Sequence, residues 1–247
     1  MIFNTTLAGG TKKWRRPCLK FSSKDGFGFS MGISDLSGKM EASQDGIHWR
    51  QLNNDYLLAK PDATTQTYNL YLSGTGNTML GSPWLSFDAA ALVDCSGYIE
   101  TLLDWETVAI GEVPTMGERC FQDFFSSITN FRNILQSAPS FLATDLSEAC
   151  YLNMFVNCEN LVTLPKLPAS VIPQIAYNQM FTGCSKIMLS ETQSDDYPTP
   201  YRIPFAKDVE DVGSDALTDM FAGTGGTFTG TPEPNTTYYL HKSCKIV

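Results

Sequence analysis

From about residue 17 to residue 100 the apolar positions repeat with a period of two. Lys39-Met40-Glu41-Ala42-Ser43 alternates polar and apolar side chains, and the tight-turn dipeptide Asp45-Gly46 follows. Beyond it Ile47 and Trp49 share one face while His48 and Arg50 share the other. Tyr68-Asn69-Leu70-Tyr71-Leu72 alternates again and runs into Ser73-Gly74-Thr75-Gly76-Asn77, a turn signal. Trp84, Leu85 and Phe87 open a further apolar stretch. Short strands with frequent turns predict a small antiparallel, sandwich-like module.

After residue 100 the period changes and the chain resembles itself. Cys120-Phe121-Gln122-Asp123-Phe124-Phe125, Cys150-Tyr151-Leu152-Asn153-Met154-Phe155, Ala176-Tyr177-Asn178-Gln179-Met180-Phe181 and Ala216-Leu217-Thr218-Asp219-Met220-Phe221 share one pattern. It reads small residue, aromatic or Leu, two mostly polar residues, Met or Phe, then Phe. Apolar residues at i, i+1, i+4, i+5 and i+8 predict one stripe on a short helix, as in Cys150, Tyr151, Met154, Phe155 and Cys158. The cysteines are then small buried hydrophobes. Extended, proline-broken pieces such as Leu161-Val162-Thr163-Leu164-Pro165 follow. One such unit cannot bury its apolar face alone, so the units are expected to stack. The strand module would cap one end. The Gly/Thr-rich stretch 223–232 and Thr236–Leu240 would cap the other.

Residues 149–161, running into Leu164-Pro165-Lys166-Leu167-Pro168-Ala169, resemble the BspA-like leucine-rich repeats of gut-bacterial surface proteins and of virion proteins from their phages. Residues 40–49, 70–78 and 95–104 are similar to the segments that precede such repeats, and residues 220–239 to a C-terminal cap in phage members. The resemblance spans residues 35–240. It implies an α+β fold, with the sandwich-like module followed by a short strand/short-helix leucine-rich-repeat solenoid. The implied division is an arm at 1–16, a β-rich module at 17–100 and a repeat domain with its cap at 101–247. The family has no catalytic residues to transfer.

Charge narrows the functional classes. The net charge is −9, but residues 1–50 carry eight Lys/Arg against four Asp/Glu, and residues 51–247 nine against twenty-two. An acidic bulk does not suit a phosphate backbone, so nucleic acid is not an expected partner. The basic run Lys12-Lys13-Trp14-Arg15-Arg16 reads either as a solvated arm or as a docking arm for an acidic partner surface. No basic start followed by an apolar run marks a secretory signal, and no stretch approaches the ~20 apolar residues of a membrane span.

Candidate chemistry is sparse. Seven cysteines, an odd number without Cys-x-x-Cys spacing, argue against a disulfide framework. With His48 and His241 far apart, neither a metal site nor a nucleophilic triad is expected. The glycine clusters at 26–28, 74–76 and 223–226 lack the Gly-Lys-Ser/Thr of a nucleotide loop, so no cofactor is expected. The acidic stretch 208–215 does not fit a calcium loop and reads as a solvated loop or an N-cap at Asp215. Trp49, Trp84 and Trp105 could stack on sugars but suit a core or an interdomain position. Tyr197, Tyr201 and Arg202, in an insertion, are the candidate receptor contacts and are expected to be exposed.

These readings give a non-enzymatic protein. The expected role is a phage virion structural protein, as a head or tail fibre, a decoration or a receptor-binding protein that mediates attachment. It would be made in the host bacterial cytoplasm and docked on other virion proteins through residues 12–16. A symmetric homo-oligomer is the expected state. The alternative is a bacterial cell-surface adhesin for a host protein or glycan.

Overall fold

Lys39–Ser43, Tyr68–Leu72 and the Trp84–Phe87 stretch all lie in strands in the computed structural model of the chain, which describes residues 16–32, 36–80, 84–126, 134–203 and 212–247. The elements are β1 (Leu19–Ser23), β2 (Phe27–Gly32), β3 (Lys39–Ser43), β4 (Arg50–Gln51), β5 (Leu57–Leu58), β6 (Lys60–Asp62), β7 (Thr67–Thr75), β8 (Trp84–Ala89), β9 (Val93–Ser96) and α1 (Thr101–Ala109). They continue with β10 (Leu135–Ser137), β11 (Thr163–Leu164), β12 (Met188–Ser190), β13 (Thr199–Arg202), β14 (Gly225–Gly226), β15 (Thr237–Leu240) and β16 (Lys245–Ile246).

β10, β9, β1, β7, β3 and β4 make an open mixed sheet in that order, with β6 also on β7. Only the β10–β9 pair in it is parallel. A second sheet runs β5-β2-β8. Phe21 of β1 closes the space between them, its ring 5.7 Å from Phe29 and 5.0 Å from Phe87. The predicted turn at 73–77 begins late, because Ser73, Gly74 and Thr75 still pair with β3. Gly74 is required there: a Cβ would sit 1.7 Å from the Leu102 carbonyl oxygen, so only glycine lets α1 lie on β7. Buried Asn77 fixes the same junction, accepting from the Gly38 N–H and donating to the carbonyls of Lys39 and Leu102.

The leucine-rich-repeat expectation fails here. Among the described residues there is one α-helix, α1, and it is broken at Asp104 (φ −154°, ψ 101°). The sheets are mixed and neither curled nor closed. The extended pieces that should have formed one parallel solenoid ladder go to separate sheets. β10 joins β9, β11 pairs with β16, and β12 lies between β14 and β15. The chain is an α+β fold of another kind, not a BspA-like solenoid of strands and short helices.

The four similar segments are also not helices. Left-handed residues recur at every fourth position, at Arg119 and Asp123, at Ala149, Asn153 and Asn157, at Ile175 and Gln179, and at Asp215 and Asp219. A right-handed helix cannot contain them. Alternate N–H groups close a local turn onto the carbonyl three residues back, as from Leu152 to Ala149 and from Met154 to Tyr151. The amides between them reach sideways. Phe121, Asp123 and Phe125 donate to Cys150, Leu152 and Met154; Tyr151, Asn153 and Phe155 donate to Ala176, Asn178 and Met180; Tyr177, Gln179 and Phe181 donate to Ala216, Thr218 and Met220. Residues 119–126, 149–158, 175–184 and 215–224 thus form four layers of turns lying side by side. The outer layer is closed by the tail: Asp219 and Gly223 donate to the Thr231 and Thr229 hydroxyls, and Phe221 to the Gly230 carbonyl.

The apolar stripe read as a helix face becomes columns through these layers. Phe125, Phe155, Phe181 and Phe221 stack at 5.2, 5.3 and 5.5 Å between ring centroids, their planes within 8°. Phe141, Tyr151 and Tyr177 stack at 4.6 and 5.7 Å. One buried cluster continues from Leu19 to Cys244 through both the strands and the layers.

Candidate functional site

Of the predicted docking arm, Lys12, Lys13, Trp14 and Arg15 lie outside the described residues. Arg16 lies within them, at the foot of the arm. β3 and β7 pair so that Glu41 stands opposite Ser73. Arg16 lies across that pair, its Nε donating to Ser73 Oγ at 2.9 Å and its terminal nitrogen to Glu41 Oε2 at 2.5 Å. Its guanidinium carbon is 4.2 Å from the Trp49 ring centroid and 4.6 Å from that of Trp105. The Arg16 side chain is only 13% exposed.

Each partner comes from a different element. Trp49 follows the Asp45-Gly46 turn, which is held by Asp45 Oδ1 accepting from the Ile47 and His48 amides. Hydrogen bonds from His48 hold the Asp45 carboxyl well below the usual range. Trp105 is the first residue beyond the break in α1. There Asp104 Oδ2 accepts from the Thr107 hydroxyl at 2.7 Å, which ties the break to the second half of the helix. A planar cation between two indoles, with its N–H groups on a carboxylate and a hydroxyl, is a fixed anchor that lysine cannot reproduce. Sequence reading singled out Arg16 and both tryptophans but not their meeting, since Trp49 and Trp105 are far apart in the chain. It missed Glu41 and Ser73, which have no signal beyond alternation in a strand.

The predicted receptor contacts do not form one site. Tyr201 was expected to be exposed but is 2% exposed, because β13 turns its ring inward. Its hydroxyl donates to the Pro165 carbonyl at 2.9 Å, and burial pushes the phenol pKa up. Arg202 is exposed and donates to the Thr237 hydroxyl and to Asn235 Oδ1. Tyr197 lies elsewhere, its ring edge-on to His241 at 5.2 Å, in a turn at 194–197 pinned by the exposed Lys242–Asp196 pair. Tyr201 and Arg202 do line an open groove of about 460 Å³, with Lys166, Leu167, Pro168 and Pro200.

The helix expected to start near Asp215 is absent, because Asp215 is a left-handed residue (φ 56°) that opens the fourth layer. Six of the seven cysteines are buried, and Cys18 is half-buried. Burial raises the thiol pKa of Cys150 to about 12 and pushes those of Cys158 and Cys184 up as well. Among the described residues no group of His, Cys, Asp and Glu is placed to hold a metal ion, and no helix is long and apolar enough to cross a membrane.

Compared with known proteins, the chain matches no protein-family model, no curated protein and no solved structure.

Proposed function

We propose that this chain is a non-enzymatic structural attachment protein that is carried on a larger assembly by its basic N-terminal arm. A phage virion is the assembly we infer, with the chain as a fibre, decoration or receptor-binding component. The observation that carries this reading is the Arg16 anchor. An arm that merely trails in solvent has no need of a nearly buried foot held by two indoles, a carboxylate and a hydroxyl. Held in this way, Arg16 gives the basic run 12–16 one fixed end, and a fixed end lowers the ordering entropy lost on binding. The charge of that run stands apart from the acidic remainder of the chain, which favours an acidic partner surface. The layered body supports the reading as well, since its alternate amides are spent on lateral bonds and its aromatic columns leave little to rearrange.

The test is whether purified virions of a producing bacterium contain the chain, read by mass spectrometry, and whether deleting residues 1–15 removes it while the body stays folded. A chain absent from virions, or incorporated equally without its arm, overturns the proposal. A surface adhesin is the second reading, favoured by the groove between Leu167 and Tyr201. Retention of the purified protein on immobilised host glycans, lost on Arg202→Ala, would favour it.

A further inference from the structure

Glu100 is fully buried at the start of α1, where the strands meet the layers of turns. Its two carboxyl oxygens are treated very differently. Oε1 accepts from the Leu142 N–H at 2.8 Å, from the Ala143 N–H at 3.0 Å and from the Tyr151 hydroxyl at 3.3 Å. Oε2 is sealed from solvent and has no hydrogen-bond partner. The titratable groups that face it are Cys120 of the first layer, Cys150 and Tyr151 of the second and Tyr177 of the third, and the acidic residue in the first turn of its own helix is Asp104. All of these become anions when they ionise, so none can offset a negative charge on Glu100.

We propose that Glu100 is an acid latch: as the neutral acid it joins α1 to segment 142–143 and to the second layer of turns, and as the anion it loosens that junction. A proton belongs on Oε2, since a bare carboxylate oxygen in a sealed interior is far more costly than a neutral hydroxyl. Burial pushes the carboxyl pKa up, while the amides of Leu142, Ala143 and Glu100 itself and the Tyr151 hydroxyl pull the other way and lose. The sign of the linkage follows. A carboxyl whose pKa is raised on folding contributes stability that is complete below the ordinary glutamate range. That contribution falls as the pH climbs from there to the raised value. Each unit of elevation lowers the folding equilibrium constant tenfold over that window.

The experiment compares the full chain with Glu100→Gln in urea unfolding from acid to mildly alkaline pH. The wild type is expected to lose stability as the pH rises, and the variant to lack that slope, because its amide is uncharged throughout. Amide exchange at Leu142 and Ala143, corrected for the intrinsic rate, should accelerate with pH in the wild type only. Equal slopes in the two proteins overturn the proposal. A second measurement holds if the variant does not fold. The infrared spectrum of the wild type just above the ordinary glutamate range should show a protonated carboxyl that resists exchange with deuterated solvent. A spectrum showing every carboxyl ionised overturns the proposal too.

Discussion

The strands and the layers of turns spend their backbone amides differently, although one core serves both. In β1, β3 and β7 the chain is extended, and its ladders join antiparallel neighbours that may hold any β-compatible residue. In the layers, alternate amides close local turns and the others join the next layer. That arrangement forces a left-handed residue at every fourth position, so it restricts the sequence where the strands do not. It also holds equivalent residues in successive layers directly over one another, which turns single aromatic positions into columns. The strand region is therefore tolerant in backbone and specific in side-chain alternation. The layers are specific in both.

The largest effect should come from breaking a column. Phe155 stacks on Phe125 and on Phe181, so Phe155→Ala removes contacts on both sides and leaves a cavity between layers. A loss of about 3–5 kcal/mol is expected in denaturant unfolding. A loss under about 1 kcal/mol would show that the column is incidental. The same experiment asks whether the two regions are one unit. Trp49 and Trp105 flank Arg16 beside β3 and β7, so their fluorescence reports on the strand side, and far-UV dichroism includes the layers. The continuous buried cluster predicts coincident transitions, and separated midpoints would break the chain into two cooperative units.

Next in size is the anchor. Arg16→Ala leaves Glu41 and two indoles without their cation, and the lost charged hydrogen bond alone is worth about 1.5–3 kcal/mol. Arg16→Lys should recover less than half of the loss, because an ammonium cannot stack between rings and reach both acceptors. Full recovery by lysine would reduce the site to a simple ion pair. Tryptophan emission should shift in both variants, which separates the anchor from a generic loss of stability.

Much of the strand region could be read from alternation. The Asp45-Gly46 turn, the Tyr68–Leu72 run and the stretch from Trp84 each mark observed structure. The layers could be read as to which residues repeat but not as to backbone. An apolar stripe at i, i+1, i+4 and i+5 fits a helix and a ribbon of turns equally, because both return to the same side after four residues. The distinguishing signal was the polar position two residues before each closing Phe, or before Phe125 in the first layer. Asp123, Asn153, Gln179 and Asp219 stand there, all left-handed, and Asn and Asp tolerate that conformation best. The Arg16 anchor was legible only as a list of residues, since pairing Glu41 with Ser73 depends on a register that alternation alone does not set.

That signal can be tested at a smaller scale. Asn153 (φ 56°) should accept glycine at little cost, whereas Asn153→Val puts a β-branched side chain in the left-handed region. A loss of about 1–2 kcal/mol is expected for valine. The reverse ranking should hold in a strand. Glycine at Leu72 removes a buried side chain and valine keeps most of it, so there valine is the milder change. Equal tolerance of valine at both positions would mean that the left-handed residues do not constrain the layers.

The smallest effect belongs to the thiols between layers. The Cys158 thiol donates to the Phe125 carbonyl at 3.2 Å, and that of Cys184 to the Phe155 carbonyl at 3.1 Å. Each therefore bridges to the preceding layer, as well as filling space as a small apolar group. An S–H donor is weak, so Cys158→Ala should cost about 1 kcal/mol, mostly through lost volume. Reactivity is the sharper readout. Burial holds these thiols protonated, and a thiolate is what an alkylating reagent attacks. In the native protein half-buried Cys18 should be modified before the other six, which react only as fast as the chain opens. If Cys158 or Cys184 reacted much faster than global unfolding, the layers would be separating locally. The aromatic columns would then be weaker than the lateral hydrogen bonds imply.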